Sequence, residues 1–237
     1  MLEQKLKLCI ITPAFNPSKD EIGFYCANIK SIHEAIGGLY DLTFIVVDDG
    51  SEEEISLPKS STAYRSLLRH DVNKGKGAAI KTGVKFIQNT DIVVYTDFDF
   101  PYVLNNMYDM IDLMVSQDAD IMVAKRSQAY FSKLPLQRKV ISKLLLFVNK
   151  YVMGLDHYDT QGGLKVLNAK NSDLLLSTRS NGFLFEIEFI YAAQSVGLKI
   201  LDYVVQLRAD VLIPPISWQS IVKNIRALFV ILVKRKY

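Results

Sequence analysis

Short runs of apolar, mostly β-branched residues alternate along the chain with stretches whose apolar positions recur at helical spacing. Residues 8–12, 43–47, 64–68, 92–95 and 121–124 predict strands. Four of these five stand nearly free of polar residues, as strands covered on both faces do. Between them, residues 21–36, 77–87 and 103–115 carry the helical rhythm. The alternation predicts a doubly wound α/β sheet. Ligands of such sheets collect beyond the carboxyl ends of strands, and there the chain turns small and polar, at residues 13–16, 48–51, 71–77 and 97–99.

After residue 124 the pattern changes. No acidic residue occurs from 121 to 155, whereas Lys125, Arg126, Lys133, Arg138, Lys139, Lys143 and Lys150 are interleaved with Leu, Phe, Tyr and Val. This predicts a basic, apolar surface helix. In the C-terminal tail Ile221, Val222, Ile225, Leu228, Phe229 and Leu232 fall on one helix face, with Lys223 and Arg226 off it. The expected organisation is a main domain over 1–212 and, past a linker around 213–215, an amphipathic basic helix over 213–237. That helix would contact a membrane surface or a second subunit, making a homo-oligomer.

Composition narrows the class. With 49% hydrophobic and 22% charged residues the chain is not a disordered one, and seven Pro with twelve Gly exclude a fibrous one. At 237 residues it can fold without disulfides or a structural metal. Cys9 and Cys26 make no disulfide framework and no Cys/His metal spacing, so a reducing compartment is expected. No apolar stretch suits a signal peptide or reaches the roughly 20 residues of a membrane span, which predicts a chain neither secreted nor transmembrane. A net charge of +3, with basic residues beside aliphatic rather than stacking neighbours, argues against nucleic acid as a partner.

The candidate chemistry sits after the strands. Asp97-Phe98-Asp99 puts two carboxylates one residue apart at a strand end, where a hard divalent cation bridging diphosphate oxygens could be held; the alternative is a turn whose aspartates bond their own backbone. Asp48-Asp49-Gly50-Ser51 offers a carboxylate to a base N–H or ribose hydroxyls, or a helix N-cap. Asn73-Lys74-Gly75-Lys76-Gly77-Ala78-Ala79 suits close approach to an anion at a helix N-terminus, without being a Walker loop or a dinucleotide fingerprint. Glu186 and Glu188, behind a Gly182-Phe183 turn, read as a general base or holders of sugar hydroxyls, or as acidic residues opening a helix. His33, His70 and His157 lack ligand or triad spacing and read as solvated or capping residues. Trp218 reads as an interfacial anchor or as ordinary packing.

Taken together, Pro13-Ala14-Phe15-Asn16, DDGS at 48–51, NKGKGAA at 73–79, DFD at 97–99, Asp159-Thr160-Gln161-Gly162-Gly163-Leu164-Lys165 and FLFEIE at 183–188 resemble, in order and spacing, the family 2 glycosyltransferases of GT-A fold. Among these the likeness is greatest to dolichyl- or polyprenyl-phosphate mannosyl- and glucosyltransferases, and it covers residues 6–210. The resemblance implies a mixed, Rossmann-like sheet flanked by helices and a nucleotide-sugar donor. Pro13, Phe15, Asp48 and Asp49 would line the nucleotide pocket, with Ala14, Asn16, Lys76, Gly77 and Phe98 also at the donor. Asp97 and Asp99 would hold Mg2+ or Mn2+, Arg126 and Arg138 would meet the acceptor phosphate, and Asp159, Thr160, Gln161 and Lys165 would border the acceptor or sugar pocket. The implied setting is the cytoplasmic face of a membrane, bound peripherally. The chain departs from the family pattern at Asn16-Pro17, where Asn-Glu is common, so that contact is missing or comes from Asp20 or Glu21. Phe100-Pro101-Tyr102 stands where some members place a Gln metal ligand.

The leading expectation is an inverting, metal-dependent transfer of a hexose to a polyprenyl phosphate. The alternatives are a family 2 transferase acting on a glycan hydroxyl, and a catalytically silent nucleotide-binding module. A sugar nucleotidyltransferase would want a glycine-rich basic loop after the first strand, where this chain reads PAFNPSKDE.

Overall fold

The computed structural model describes residues 5–58, 64–157, 159–211 and 213. Its strands are β1 (Lys7–Ala14), β2 (Asp41–Asp48), β3 (Tyr64–Arg69), β4 (Ile92–Tyr95), β5 (Ile121–Arg126), β6 (Lys165–Asn168) and β7 (Ile200–Val205). Its helices are α1 (Lys19–Ile36), α2 (Lys76–Phe86), α3 (Leu104–Ser116), α4 (Gln128–Lys133), α5 (Leu136–Phe147), α6 (Ser172–Leu176) and α7 (Phe185–Ser195). The strands form one sheet in the order β3-β2-β1-β4-β6-β5-β7. Only β6 runs antiparallel, pairing with β4 on one side and β5 on the other.

Alternation along the strands divides the core into two layers. Leu8 and Ile10 of β1 pack with α1 and α3, which contribute Tyr25, Ile29, Ile32, Met107, Met110 and Met114. Cys9 and Ile11 face the other layer, with Ala79, Ile80 and Val84 of α2 and Phe185 and Phe189 of α7. A capping box starts α1: Ser18 Oγ accepts from the Glu21 amide at 3.2 Å, and Glu21 Oε2 accepts from the Ser18 amide at 2.7 Å. Such a cap is worth about 1 kcal/mol. It also engages Glu21 in helix initiation, so Glu21 does not replace the glutamate missing after Asn16.

The five expected strands and three expected helices all form. Two strands escaped the pattern for different reasons. β6 has only four residues and opens on a buried lysine, Lys165. β7 is an edge strand in which Asp202 and Val204 point outward, so it lacks a continuous apolar run. The basic stretch after residue 126 forms α4, α5 and a π-helical turn, Val148–Val152, and neither α4 nor α5 has a fully buried residue. The tail face at 221–232, Trp218 and the linker past residue 213 lie outside the described residues. Among the described residues no helix is long and apolar enough to cross a membrane.

The strand order reverses between β1 and β4, the place where open α/β sheets bind their ligands. Phe15 follows one of these strands and Asp97 to Asp99 follow the other.

Candidate active site

In the turn after β4, closed by the Phe100 amide donating to the Asp97 carbonyl at 3.1 Å, Asp97 and Asp99 face the crevice while Phe98 and Phe100 are buried. Phe98 stacks on Tyr25 with ring centroids 4.4 Å apart, so it anchors the loop and is not placed to touch a donor. Phe100 adopts φ 42°, a left-handed turn in a bulky residue. Arg208 clamps that turn, donating through Nη1 to the carbonyls of Asp99 at 2.8 Å and Phe100 at 2.6 Å while lying 4.1 Å above the Phe24 ring. Recession among these walls and the neighbouring Asp97 charge push the Asp99 carboxyl up to about 6, against the opposing pull of Arg208 and Lys76.

Asp97 is the junction of a charge network. Its Oδ1 lies 2.6 Å from Lys76 Nζ. Lys76 is also 3.6 Å from Glu186 Oε1, and Lys165 Nζ is 3.4 Å from Glu186 Oε2. Burial alone would lower the Lys76 pKa, but Asp97 and Glu186 outweigh it and raise it. Lys165 goes the other way, because its complete burial exceeds the help it gets from Glu186. The second oxygen of Asp97 faces Gly163, where a Cβ would stand 2.0 Å away. Gly163 thus leaves room for the carboxylate to lie open to the crevice. Two carboxylates beside that space suit a hard cation whose remaining ligands are diphosphate oxygens and water. No group of three or more His, Cys, Asp or Glu side chains could hold a metal by itself among the described residues.

The DDGS and NKGKG segments are bonded to one another. Asp48 and Asp49 are 1% and 3% exposed, and both are engaged by the frame of the site. Asp48 accepts from the Ser51 amide at 2.9 Å and from Arg69 at 2.7 Å. Asp49 accepts from the amides of Lys74 and Gly75 at 2.9 and 2.7 Å and is bridged by His70 to Thr82. These bonds hold both carboxylates within the frame of the site, and they make His70 a buried tie instead of a solvated or capping residue. Ala14 contributes its carbonyl, which accepts from the Asp49 amide. Asn16, at φ 47°, bonds Ser51 Oγ and the Glu52 amide. Pro13 is partly buried, while Phe15 is half-exposed at the crevice. At the start of α2 the approaching anion is the Asp49 carboxylate, on the amides of Lys74 and Gly75, and the first turn beyond it meets backbone. The Asn181 carbonyl accepts from the Ala78 amide at 3.2 Å, and Gly77 lies against Phe185 and the Gly182 carbonyl.

The DTQGG segment is also largely a brace. Asp159 grips Arg126 through Nε at 3.0 Å and Nη2 at 2.6 Å and caps its amide at 2.7 Å, with both side chains buried. Burial alone would lower the Arg126 pKa, but Asp159 more than offsets it and keeps the group charged. Tyr130 and Phe131 stack close to the guanidinium at 5.2 and 5.1 Å. Arg126 is therefore a held ion pair and not an open phosphate ligand. Thr160 and Gly162 turn their carbonyls onto the Lys165 ammonium, which is fully buried. The Thr160 hydroxyl accepts from Asn149. Gln161 alone of the quartet is partly exposed, and it reaches the Phe183 carbonyl at 3.4 Å. Arg138 has a buried Nε without a hydrogen-bond partner, and burial lowers its pKa against the influence of Tyr130.

The two glutamates separate. Two residues apart on a helix is about 200°, so Glu186 turns to the two lysines while Glu188 accepts from the amides of Arg179 and Ser180 at 2.5 and 3.2 Å. Glu188 therefore does not join the site. Sequence reasoning missed Arg208, Tyr102 and the bridging role of His70. Tyr102, whose hydroxyl accepts from the Gly163 amide at 3.3 Å, was visible only as a departure from the family pattern.

A dolichyl-phosphate beta-glucosyltransferase from Dictyostelium discoideum is 26% identical over 222 residues, covering 84% of this chain and 65% of that protein. An uncharacterized protein of Methanocaldococcus jannaschii is 24% identical over 204 residues, 84% of this chain and 80% of its own. Among solved structures, mannosyl-3-phosphoglycerate synthase from Rubrobacter xylanophilus superposes with a TM-score of 0.68 at 17% identity, covering 97% of this chain and 74% of that one. Glucosyl-3-phosphoglycerate synthase from Mycobacterium tuberculosis, in complex with Mn2+, UDP-glucose and phosphoglyceric acid, gives 0.67 at 16% identity over 97% of this chain and 79% of that one. These two share the fold. The family model described as glycosyl transferase family 2 matches residues 9–170, more than half of the chain and all but the last of the motifs above. The chain belongs to glycosyl transferase family 2 and is a glycosyltransferase of GT-A fold.

Proposed function

We propose that this transferase moves a hexose, with inversion, from a nucleotide diphosphate sugar to a polyprenyl phosphate, working peripherally at the cytoplasmic face of a membrane. UDP-glucose is the first donor to test, because a relative is a dolichyl-phosphate beta-glucosyltransferase and a structural neighbour binds UDP-glucose with Mn2+.

The observation that carries the acceptor class is the state of the glutamates. Glu186 lies between Lys76 and Lys165, and Glu188 is turned onto a loop. Glu186 is buried against the two lysines, out of reach of an acceptor hydroxyl. A hydroxyl acceptor needs a base to take its proton; a phosphate monoester is already an anion near neutral pH and needs none. Arg138, with its unpartnered Nε, is the group proposed to receive that phosphate.

At the donor, a Mg2+ or Mn2+ ion held by Asp97 and Asp99 would offset charge on the leaving diphosphate. The chain's own contribution is to hold these two carboxylates in place, through Arg208 on the loop backbone and Gly163 at the open side of Asp97. Lys76, 2.6 Å from Asp97, adds a positive charge at the same point. Phe15, half-exposed at the end of β1, would cover the donor.

The test presents UDP-glucose and GDP-mannose, with Mn2+, to a short polyprenyl phosphate, to 3-phosphoglycerate and to a glucan oligosaccharide. Product on the polyprenyl phosphate alone is expected. Transfer to 3-phosphoglycerate or to the oligosaccharide instead would replace the acceptor assignment, and nucleotide binding without any transfer would favour a silent module.

A further inference from the structure

Helix α5 has no buried residue, yet one of its faces is apolar. Leu136, Val140, Leu144, Phe147 and Tyr151 follow at spacings of four, four, three and four, and each is between 55% and 76% exposed. The stripe runs into the π-helical turn, where the Phe147 and Tyr151 rings lie 4.9 Å apart. A continuous apolar stripe of this kind on a soluble surface marks a contact with something else. Lys139, Lys143 and Lys150 project along one edge of it, and no acidic residue occurs between 121 and 155.

The partner must be apolar beneath and anionic at its rim, across the length of a helix. A bilayer containing anionic lipid supplies both at once: acyl chains for the stripe and headgroups for the lysines. The aromatic pair at one end suits the headgroup level. Position in the fold agrees, because α4 and α5 continue from the carboxyl end of β5, and so from the crevice end of the sheet. At 100° per residue Arg138 lies about 160° around from the middle of the stripe, so it faces inward when the stripe faces out.

We propose that α5 lies in the headgroup layer of an anionic membrane, with its apolar stripe toward the acyl chains and its lysines among the headgroups. Arg138 is then held on the inner side of the same helix, close to where a bilayer-borne phosphate would arrive. The purpose of this surface rests on the lipid-acceptor reading, whereas its evidence is the helix itself. Docking would turn acceptor capture into a search in two dimensions with a raised effective concentration.

The full chain is sedimented with phosphatidylcholine vesicles with and without phosphatidylserine, at low and high salt. Two double variants are compared with it: Leu144→Glu with Phe147→Glu, and Lys139→Gln with Lys143→Gln. Binding is expected only to the phosphatidylserine vesicles, weakened by salt, and at least about tenfold lower in both variants at unchanged Tm. Absence of phosphatidylserine-dependent binding, or undiminished binding of the glutamate variant, overturns the proposal. So does a lower Tm or an altered oligomeric state in that variant, since the face would then be covered by protein. Transfer to a water-soluble short-chain polyprenyl phosphate is measured in parallel. If transfer persists without vesicle binding, the docking surface falls and the acceptor reading stands; vesicle binding without transfer separates them the other way.

Discussion

Lys76 and Asp97 are joined at 2.6 Å, and this contact ties the start of α2 to the loop after β4. The lysine side chain is nearly buried and the aspartate partly open, so the pair lies on the wall of the crevice. Replacing Lys76 with Met would leave Glu186 with Lys165 alone and Asp97 without its counter-charge. The expected loss is about 1–3 kcal/mol of stability, below the value for a fully buried pair because water reaches Asp97. Because the folded pKa of Lys76 is raised, its contribution is complete below its unfolded value near 10.4 and fades only as pH rises through the folded value. The deficit should therefore stay flat from about pH 6 to pH 9 in denaturant titrations. A deficit that disappears at the alkaline end of that range would show that the ion pair is not its source. Added Mn2+ with UDP-glucose should narrow the gap, since a cation at Asp97 replaces the missing charge.

Asp99 makes donor binding pH-dependent. With its pKa pushed up to about 6, the carboxyl is half protonated there, and a protonated carboxyl is a poor ligand for a hard cation. Affinity for UDP-glucose in the presence of Mn2+ should be level above about pH 7 and fall up to tenfold per unit below about pH 6. UDP-glucose is the right probe, since its diphosphate diester has no ionisation in that range. Without cation the sign reverses: a raised carboxyl pKa means the folded state holds the extra proton, so stability declines as pH rises from about 4 to about 6. Asp99→Asn should flatten the calorimetric profile and lower turnover on the order of 100-fold. Turnover by the unaltered chain that is undiminished in excess chelator would refute a cation role for both aspartates.

The two arginines should separate by what they damage. Arg126 is gripped by Asp159 in a buried pair, and removing one partner of such a pair costs about 3–5 kcal/mol. Arg126→Ala should thus lower Tm sharply before any question of acceptor use arises. Arg138→Lys retains the charge but loses the planar fork that can hold a phosphate through two bonds. It should raise the acceptor KM about tenfold at unchanged Tm and unchanged donor affinity. If Arg138→Lys alters donor and acceptor constants equally, the acceptor assignment of Arg138 fails.

The sheet up to β5 was legible because buried parallel strands write themselves as apolar runs and their helices as a 3.6-residue rhythm. β6 was not, being four residues long with Lys165 at its head. That lysine read as a pocket residue because its type is polar; only the fold reveals the carbonyls of Thr160 and Gly162 closing on it. The same confusion attends Asp48, Asp49 and Asp159. A carboxylate at a strand end looks alike in sequence whether it faces a ligand or the protein's own amides and side chains, and the partner that decides, such as Arg69 for Asp48, is distant in the chain. Phe98 stood with Asp97 and Asp99 at the expected donor site, and its stacking on Tyr25, far off in the chain, is what separates it from them. Glu186 and Glu188 were separable only once the segment was known to be a helix and not a turn.

Gly162 and Gly163 offer the cleanest division between fold and site. A Cβ on Gly162 would come within 2.0 Å of the Ala124 carbonyl oxygen, a backbone atom in β5 that cannot yield without disturbing the sheet. A Cβ on Gly163 would come equally near Asp97 Oδ2, the end of a side chain that can rotate away. Gly162→Ala should therefore cost about 1–3 kcal/mol, the scale of an overpacked core, and lower Tm accordingly. Gly163→Ala should fold with a Tm loss no larger than that of Lys76→Met, since it disturbs the same Asp97 contact, but turn the Asp97 carboxylate out of the position in which it could share a cation with Asp99. Its Mn2+-dependent affinity for UDP-glucose should drop at least about tenfold, the scale of one lost charge-assisted contact. The two measurements are thermal unfolding without ligand and calorimetric titration with Mn2+ and UDP-glucose. If Gly163→Ala binds donor as tightly as the unaltered chain does, the space beside Asp97 is not where the cation belongs.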